Sequence, residues 1–340
     1  MTQMTIRLIL AFAIAFFVAS GVGKFLVPWL RKVKAGQAIR EDGPTWHMSK
    51  AGTPTMGGLM FIAAVIVVCL TVGFEPMMRG EYGHVFCLIF ALIFGAIGFL
   101  DDYEKLKKKQ NLGLSAKAKF LLQLAAALAF VFLMRQFGYV TTNLYIPFWN
   151  TIVPIPEWLY FIFAAFVIVG TVNAVNLTDG VDGLAAGTSI PVCLFFACVT
   201  YVWGETYLSL GVFASGLAGG LLGFLVYNFN PAKVFMGDTG SLFLGGAVAA
   251  MAFAYDMPLI LIILGLLYII ETLSDIIQVA YFKLSHGKRI FRMAPFHHHL
   301  ELGGWTGHKW TEKQLFALFF CVSLICAVVS FIGIYGRYSF

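Results

Sequence analysis

Acidic residues recur in this sequence beside long apolar runs, where an unpaired carboxylate is costly. Asp101 and Asp102 directly follow the apolar stretch 84–100. A helix ending there carries partial negative charge at its C-terminus, so two adjacent carboxylates need cationic company. Two readings fit equally: Lys105, Lys107, Lys108 and Lys109 form a solvated collar, or the pair serves a divalent cation or a proton transfer. Further on, the segment 173–187 carries Asn176, Asp179, Gly180, Asp182 and Gly183. Acids alternating with glycines let backbone amides approach a ligand that the carboxylates face. The same residue types make ordinary caps and turns, but so many polar groups between two apolar runs favour a binding loop. In the segment 228–241, Thr239 or Ser241 is placed to cap the next helix, whose first amides then offer an anion site. Asp238 beside them is placed to hold Mg²⁺ against a diphosphate, since magnesium takes one or two carboxylates plus phosphate oxygens. Phe235 suits either simple packing or stacking on a base.

The last polar segment contains Lys288, Arg289, Arg292, His297, His298, His299 and Glu301. Three consecutive histidines on a helix diverge by roughly 100° per residue and do not share one ion. Ligand spacing for zinc is absent and no cysteine lies nearby. One or two of the three read better as phosphate hydrogen-bond donors or as orienters of the acids, with a basic membrane-surface patch as the plainer reading. Lys50 and Thr55 lie near Gly57 and Gly58, without the spacing of a P-loop, and give a weak anion signal. Glu271 and Asp275, four apart inside an apolar run, face one side of a helix and reach toward headgroups or polar loops; they do not read as catalytic. The six cysteines lie in or beside apolar runs and read as small buried hydrophobes.

A membrane scaffold must position these groups. Of the 340 residues 60% are hydrophobic and 12% charged, with a mean hydropathy of +0.85. A soluble domain carries about twice that charged fraction, so lipid must solvate most of this surface. Apolar stretches at 6–29, 57–73, 84–100, 119–137, 157–173, 190–203, 208–227, 241–255, 258–281 and 315–335 predict an all-α polytopic membrane protein. It has about ten transmembrane helices in one domain, 1–340. Arg7 before an apolar run resembles a signal peptide, but the run continues past Ser20 and meets Arg31, Lys32 and Lys34, which marks a retained first span. Nineteen of the 23 Lys and Arg fall on one side of this arrangement; Arg7, Arg79, Arg135 and Arg337 fall on the other. That bias puts the basic side in the cytoplasm and both termini outside. The net charge of +6 is thus an orientation signal, with no nucleic-acid partner implied. The outer stretch 140–144 is expected to form a small hairpin, and a bend in the ninth span is expected near Gly265 or Glu271. Nearly all the Asp, His and Asn-Gly clusters fall in the inner loops, which must form the active site.

Together these inner segments resemble the polyprenyl-phosphate N-acetylhexosamine 1-phosphate transferases. Asp101-Asp102-Tyr103, the segment 176–180 and the segment 235–241 are similar to that superfamily's acidic motifs. The segment 293–301, with His297, His298 and His299, resembles more specifically the MraY family of phospho-N-acetylmuramoyl-pentapeptide transferases, and the overall resemblance begins at 52–58. The resemblance runs over nearly the whole chain. It implies a Mg²⁺-dependent homodimer in the bacterial inner membrane. This enzyme would join UDP-MurNAc-pentapeptide to undecaprenyl phosphate, giving lipid I and UMP for peptidoglycan synthesis, and so would serve cell shape and division. Asp238 is then the Mg²⁺ ligand, and Asp101 and Asp102 are the catalytic pair, with His298 grouped beside them. Lys50, Thr55, Lys119, Asn176, Asp179, Gly180, Asp182, Asn228, Phe235, His297 and His299 become substrate contacts.

Two other classes compete. A transporter places its polar groups near the bilayer midplane in broken, repeated helices, whereas here they gather in inner loops and no repeat is visible. A transferase using UDP-N-acetylglucosamine shares the acidic motifs, but the histidine segment argues against it. A lipid phosphate is already ionised at neutral pH, so positioning and charge neutralisation suffice and direct attack is preferred to a phospho-aspartate.

Overall fold

The computed structural model describes residues 3–33, 50, 52–108 and 113–338. Each of the ten apolar stretches lies on helix, because only intrasegment hydrogen bonds satisfy the backbone of a chain buried in lipid. The order is α1 (Gln3–Lys32), α2 (Leu59–Thr71), the short α3 (Phe74–Met78), α4 (Gly83–Lys108), α5 (Ala116–Gln136) and α6 (Glu157–Thr178). Then follow α7 (Leu184–Trp203), α8 (Leu208–Asn228), α9 (Gly237–Ala254), α10 (Leu261–Leu264), α11 (Leu266–Leu284), α12 (Phe296–Glu301) and α13 (Glu312–Gly333). Eight of the described helices are long and apolar enough to cross a membrane. A ninth such segment is α10 with α11, bent by 78° between Leu264 and Leu266. The bend falls at Gly265, one of the two expected positions. With 13 residues, α2 is shorter than those eight.

Helices α8 and α9 form the buried centre, with α1 and α2 against α8, and α4 and α6 against α9. The outward faces carry large apolar side chains such as Phe17, Phe25 and Phe166, as expected where lipid is the solvent. Small residues let the central backbones approach. A Cβ on Gly98 of α4 would lie 2.0 Å from the Asp238 carbonyl oxygen of α9. That proximity brings the acids of the two helices together.

The bundle has two polar ends. At the end away from the acid clusters, all four arginines expected there are paired with acids. Arg7 and Arg79 meet Glu75, Arg135 meets Glu157, and Arg337 meets Asp256. Lys34, Arg40 and Lys109, counted with the opposite side, lie outside the described residues.

Four local expectations are corrected. The hairpin forms from β1 (Asn143–Ile146) and β2 (Thr151–Pro154), later than 140–144. Antiparallel register pairs Asn143 with Pro154 and Ile146 with Thr151, so the apolar, Pro-containing text supplies the strands. Asp101 and Asp102 do not end their helix, because α4 continues to Lys108 and its lysines neutralise the terminal dipole. Neither Thr239 nor Ser241 caps α9; Ser241 donates to the Gly237 carbonyl, and Thr239 donates to Asp102. Cys198 and Cys321 are exposed on helix faces, while the other four cysteines are buried.

Candidate active site

Helix α4 supplies Asp101, Asp102 and Lys105, and α9 begins with Asp238. The Asp238 carboxylate is a hub. Its Oδ2 accepts from Lys105 Nζ at 2.9 Å and from Lys119 Nζ of α5 at 2.8 Å. Its Oδ1 accepts from Asn176 Nδ2 at 2.9 Å, and the same amide reaches Ser241 Oγ at 2.7 Å. Lys105 also pairs with Asp101 Oδ2 at 2.6 Å, while Asp101 Oδ1 accepts the Leu114 amide at 2.9 Å. One ammonium group thus bridges two acids from different helices, each too costly to bury alone.

Asp102 is spent differently. Its oxygens accept the amides of Asp238 (3.2 Å) and Thr239 (2.9 Å) and the Thr239 hydroxyl (2.7 Å). The first amides of α9, expected to bind a ligand anion, are occupied by this internal one. A buried carboxylate at a helix N-terminus satisfies the orphan N–H groups and the dipole together. Gly237 enters the helix with φ +73°, and a Cβ there would lie 2.7 Å from Asp102 Oδ2 and 2.6 Å from Thr55 Oγ1. Thr55 is held beside this junction by backbone bonds from Phe235 N to Pro54 O and from Gly57 N to Phe235 O, both 2.8 Å. Its buried hydroxyl has no partner among the described residues. Phe235 itself is partly exposed at the same junction.

The loop after α6 carries the second cluster. Asp179 follows the last turn of α6, and burial, then the charges of Asp238, Asp102 and Asp182, push its carboxyl well above the usual carboxylate range. Asp182 is fully engaged, with Oδ1 on Lys50 at 2.8 Å and Oδ2 accepting Asn230 Nδ2 (3.1 Å) and the Ala232 amide (2.9 Å). Asn228 accepts the Gly183 amide at 3.0 Å and donates to the Val234 carbonyl at 2.9 Å. Asp182 and Asn228 therefore tie the 179–183 loop to the 228–236 loop. Lys50 is held between Asp182 and Glu312 Oε2, the latter at 2.6 Å.

The three histidines of α12 part as the helical geometry requires. His297 Nδ1 meets Glu271 Oε2 at 2.9 Å, and its Nε2 lies against Gly180, where a Cβ would be 2.3 Å away. His298 Nδ1 meets Glu301 Oε2 at 2.7 Å. His299 Nδ1 accepts the Arg292 amide at 3.1 Å, and its ring packs on Trp305 and Phe291. Burial and then the Arg292 charge lower the His299 pKa.

A family model described as glycosyl transferase family 4 matches residues 84–256, which hold Asp101, Asp102, Asn176, Asp179 and Asp238. A phospho-N-acetylmuramoyl-pentapeptide-transferase signature matches 50–62, with Lys50 and Thr55. Curated proteins of that same name are similar over nearly the full length. The one from Caldanaerobacter subterraneus is 46% identical, covering 96% of this chain and 98% of its own. Those from Geobacillus thermodenitrificans and Listeria innocua are 44% and 43% identical, over 96% and 95% of this chain and 97% of each of theirs. The chain belongs to the phospho-N-acetylmuramoyl-pentapeptide-transferase family.

In this family member Lys105 and Glu271 join the cluster with defined partners, and so does Glu312, which the sequence does not mark. Of the lysines read as a collar, Lys105 compensates Asp101 and bridges it to Asp238, while Lys108 pairs with Glu104. Glu312 closes the Lys50 clamp, and Glu271 orients His297. A lysine four residues after Asp101 was a usable signal, since that spacing shares a helix face. Nothing in the local sequence marks Glu312.

Proposed function

We propose that this chain transfers phospho-MurNAc-pentapeptide from UDP-MurNAc-pentapeptide to undecaprenyl phosphate, forming lipid I and UMP in peptidoglycan synthesis. The observation that carries the reading is the Asp238 hub, where two ammonium groups and an amide converge on one carboxylate beside Asp101. A phosphate oxygen of the lipid attacks the sugar-linked phosphorus. The bond from that phosphorus to the bridging oxygen breaks, and its electron pair leaves with UMP. Such a transfer asks the protein for alignment and for cancellation of charge on the phosphates.

Lys119 and Lys105 stand where negative charge accumulates on the departing UMP. Asn176, itself held by Ser241, fixes the Asp238 carboxylate, and Asp102 fixes the start of its helix. Asp101 faces the same volume and suits alignment of the attacking lipid phosphate. Thr55, with its unpartnered hydroxyl, and Phe235 are placed to take the nucleotide side. Lys50, Asp182 and Asn228 hold the two flanking loops in register, with Asp179 and Gly180 on the edge nearest His297. His298 and His299 complete the wall on α12.

Mg²⁺ belongs to this proposal. Among the described residues no group of three or more His, Cys, Asp or Glu forms a complete metal cage. The donor set at Asp238 is nonetheless hard oxygen, and magnesium is commonly held by one or two carboxylates with the remaining positions left to phosphate and water. Asp238 would hold it, with Asp101 nearest. When bound it supplies positive charge against the diphosphate.

The proposal also has ten spans with α2 as the tenth, both termini outside, the site facing the cytoplasm of a bacterial inner membrane, and two copies per assembly. The lysine-rich end being the site end supports the orientation. The test is UMP release by the detergent-purified protein with Mg²⁺, undecaprenyl phosphate and UDP-MurNAc-pentapeptide, with UDP-N-acetylglucosamine in parallel and Asp238→Asn as control. Turnover confined to the muramoyl donor and abolished in Asp238→Asn supports the reading. Turnover with N-acetylglucosamine, or none with either donor, overturns it.

A further inference from the structure

Glu271 sits six residues beyond the break at Gly265, on α11, and is wholly buried. A carboxylate there is costly unless compensated, and the compensation comes almost entirely from one residue. His297 gives it the backbone amide, at 3.2 Å to Oε1 and 3.4 Å to Oε2, and ring Nδ1 at 2.9 Å to Oε2. The amide contacts both oxygens, which suits an ionised acceptor, so Nδ1 is the donor on the ring. The other nitrogen, Nε2, is buried with no partner among the described residues, and it abuts Gly180 between Asp179 and Asp182. A buried ring nitrogen without a partner is destabilising, so a group absent from the free protein is its natural complement. The same helix fixes the other side of this segment: Gln278 accepts the amides of Ile290 and Phe291 (3.1 and 3.0 Å) and donates to the Phe291 carbonyl (3.1 Å).

We propose that Glu271 is a positioning residue for the transfer reaction, holding His297 in the Nδ1–H form with Nε2 presented to a phosphate or sugar oxygen of the donor at Gly180. The inference rests on the reading under Proposed function. Glu271 itself touches neither substrate; it acts through the ring it orients, as outer partners of functional histidines do.

The test has two readouts. In ¹⁵N-histidine-labelled protein, the ring signals of His297 are assigned by their disappearance in His297→Gln. A protonated Nδ1 in the wild type supports the proposal; a bare Nδ1 overturns it, whatever the enzyme transfers. In UMP release, Glu271→Gln should lower kcat/KM by about 10–100-fold and His297→Gln by at least as much. The double variant should be no worse than His297→Gln alone. Multiplying losses, or full activity in a Glu271→Gln protein whose His297 ring has changed its protonated nitrogen, overturn it. If wild type itself turns over neither donor, the functional reading fails and the ring spectrum still decides the Glu271–His297 geometry. A Glu271→Gln protein that does not fold leaves the wild-type spectrum as the deciding measurement.

Discussion

The Asp102 carboxylate receives both the amide of Thr239, at 2.9 Å, and its hydroxyl, at 2.7 Å, so a residue of α4 caps α9 from 137 positions away. This cap sets where Asp238 stands, because the preceding amide is bound to the same carboxylate. Asp102→Ala would leave those donors buried without partners. It should destabilise the protein by roughly 1–3 kcal/mol per orphaned donor and lower UMP release in the fraction that folds. Asp102→Asn, keeping one carbonyl acceptor, should fall between. Thermal unfolding in detergent, followed by assay of the folded fraction, separates the two effects.

Lys105 and Lys119 both serve Asp238, but only Lys105 also serves Asp101. Lys119→Met should lower kcat by about 10²-fold, the cost of losing one preorganised donor to developing charge. Lys105→Met should cost more, since it strips the cation from two acids at once. Steady-state UMP release gives the ranking, and equal losses would argue against the bridge.

Gly98 and Gly21 give a matched pair of alanine substitutions in helices. A Cβ at Gly98 collides with the Asp238 carbonyl, whereas one at Gly21 meets nothing within 4 Å. Gly98→Ala should cost about 1–3 kcal/mol through overpacking and also reduce activity by pushing the acids apart. Gly21→Ala should be neutral or stabilising by up to about 1 kcal/mol. Melting temperatures check both.

Asp179 gives a pH signature. Its carboxyl titrates well above the usual range because of burial and the neighbouring acids, so the folded protein favours its protonated form. That stabilising contribution is complete below the ordinary carboxylate pKa of about 3.9 and is lost as pH rises through the raised folded value. Asp179→Asn is neutral throughout. Its melting temperature relative to wild type should therefore rise as pH increases above about 4, with little difference at the acid end. A constant offset across that range would refute the assignment.

The helices were legible because lipid imposes a length and a composition on any span, and the ten apolar stretches all became helix. The acid-bearing loops were legible for a related reason, as polar clusters stand out against such a background. What stayed hidden depends on contacts across the chain. A Thr or Ser at a helix start is normally its own cap, yet at Thr239 a buried carboxylate from α4 overrides that rule. Glu271 and Asp275 share one spacing and one helix, but only Glu271 turns toward α12, and helical period alone does not distinguish them. The clamp on Lys50 stayed hidden because its partners, Asp182 and Glu312, are 132 and 262 positions distant.

The paired arginines at the far end make the protein an electrical dipole. That end carries Arg7, Arg79, Arg135 and Arg337 against Glu75, Glu81, Glu157, Glu205 and Asp256, a net of −1. Among the described residues the site end holds sixteen basic residues against ten acids, a net of +6. A membrane potential that is negative on the site side acts on this separated charge at about 2.3 kcal/mol per elementary charge per 100 mV. In the orientation proposed above, the voltage that energised cells maintain opposes inversion of the bundle.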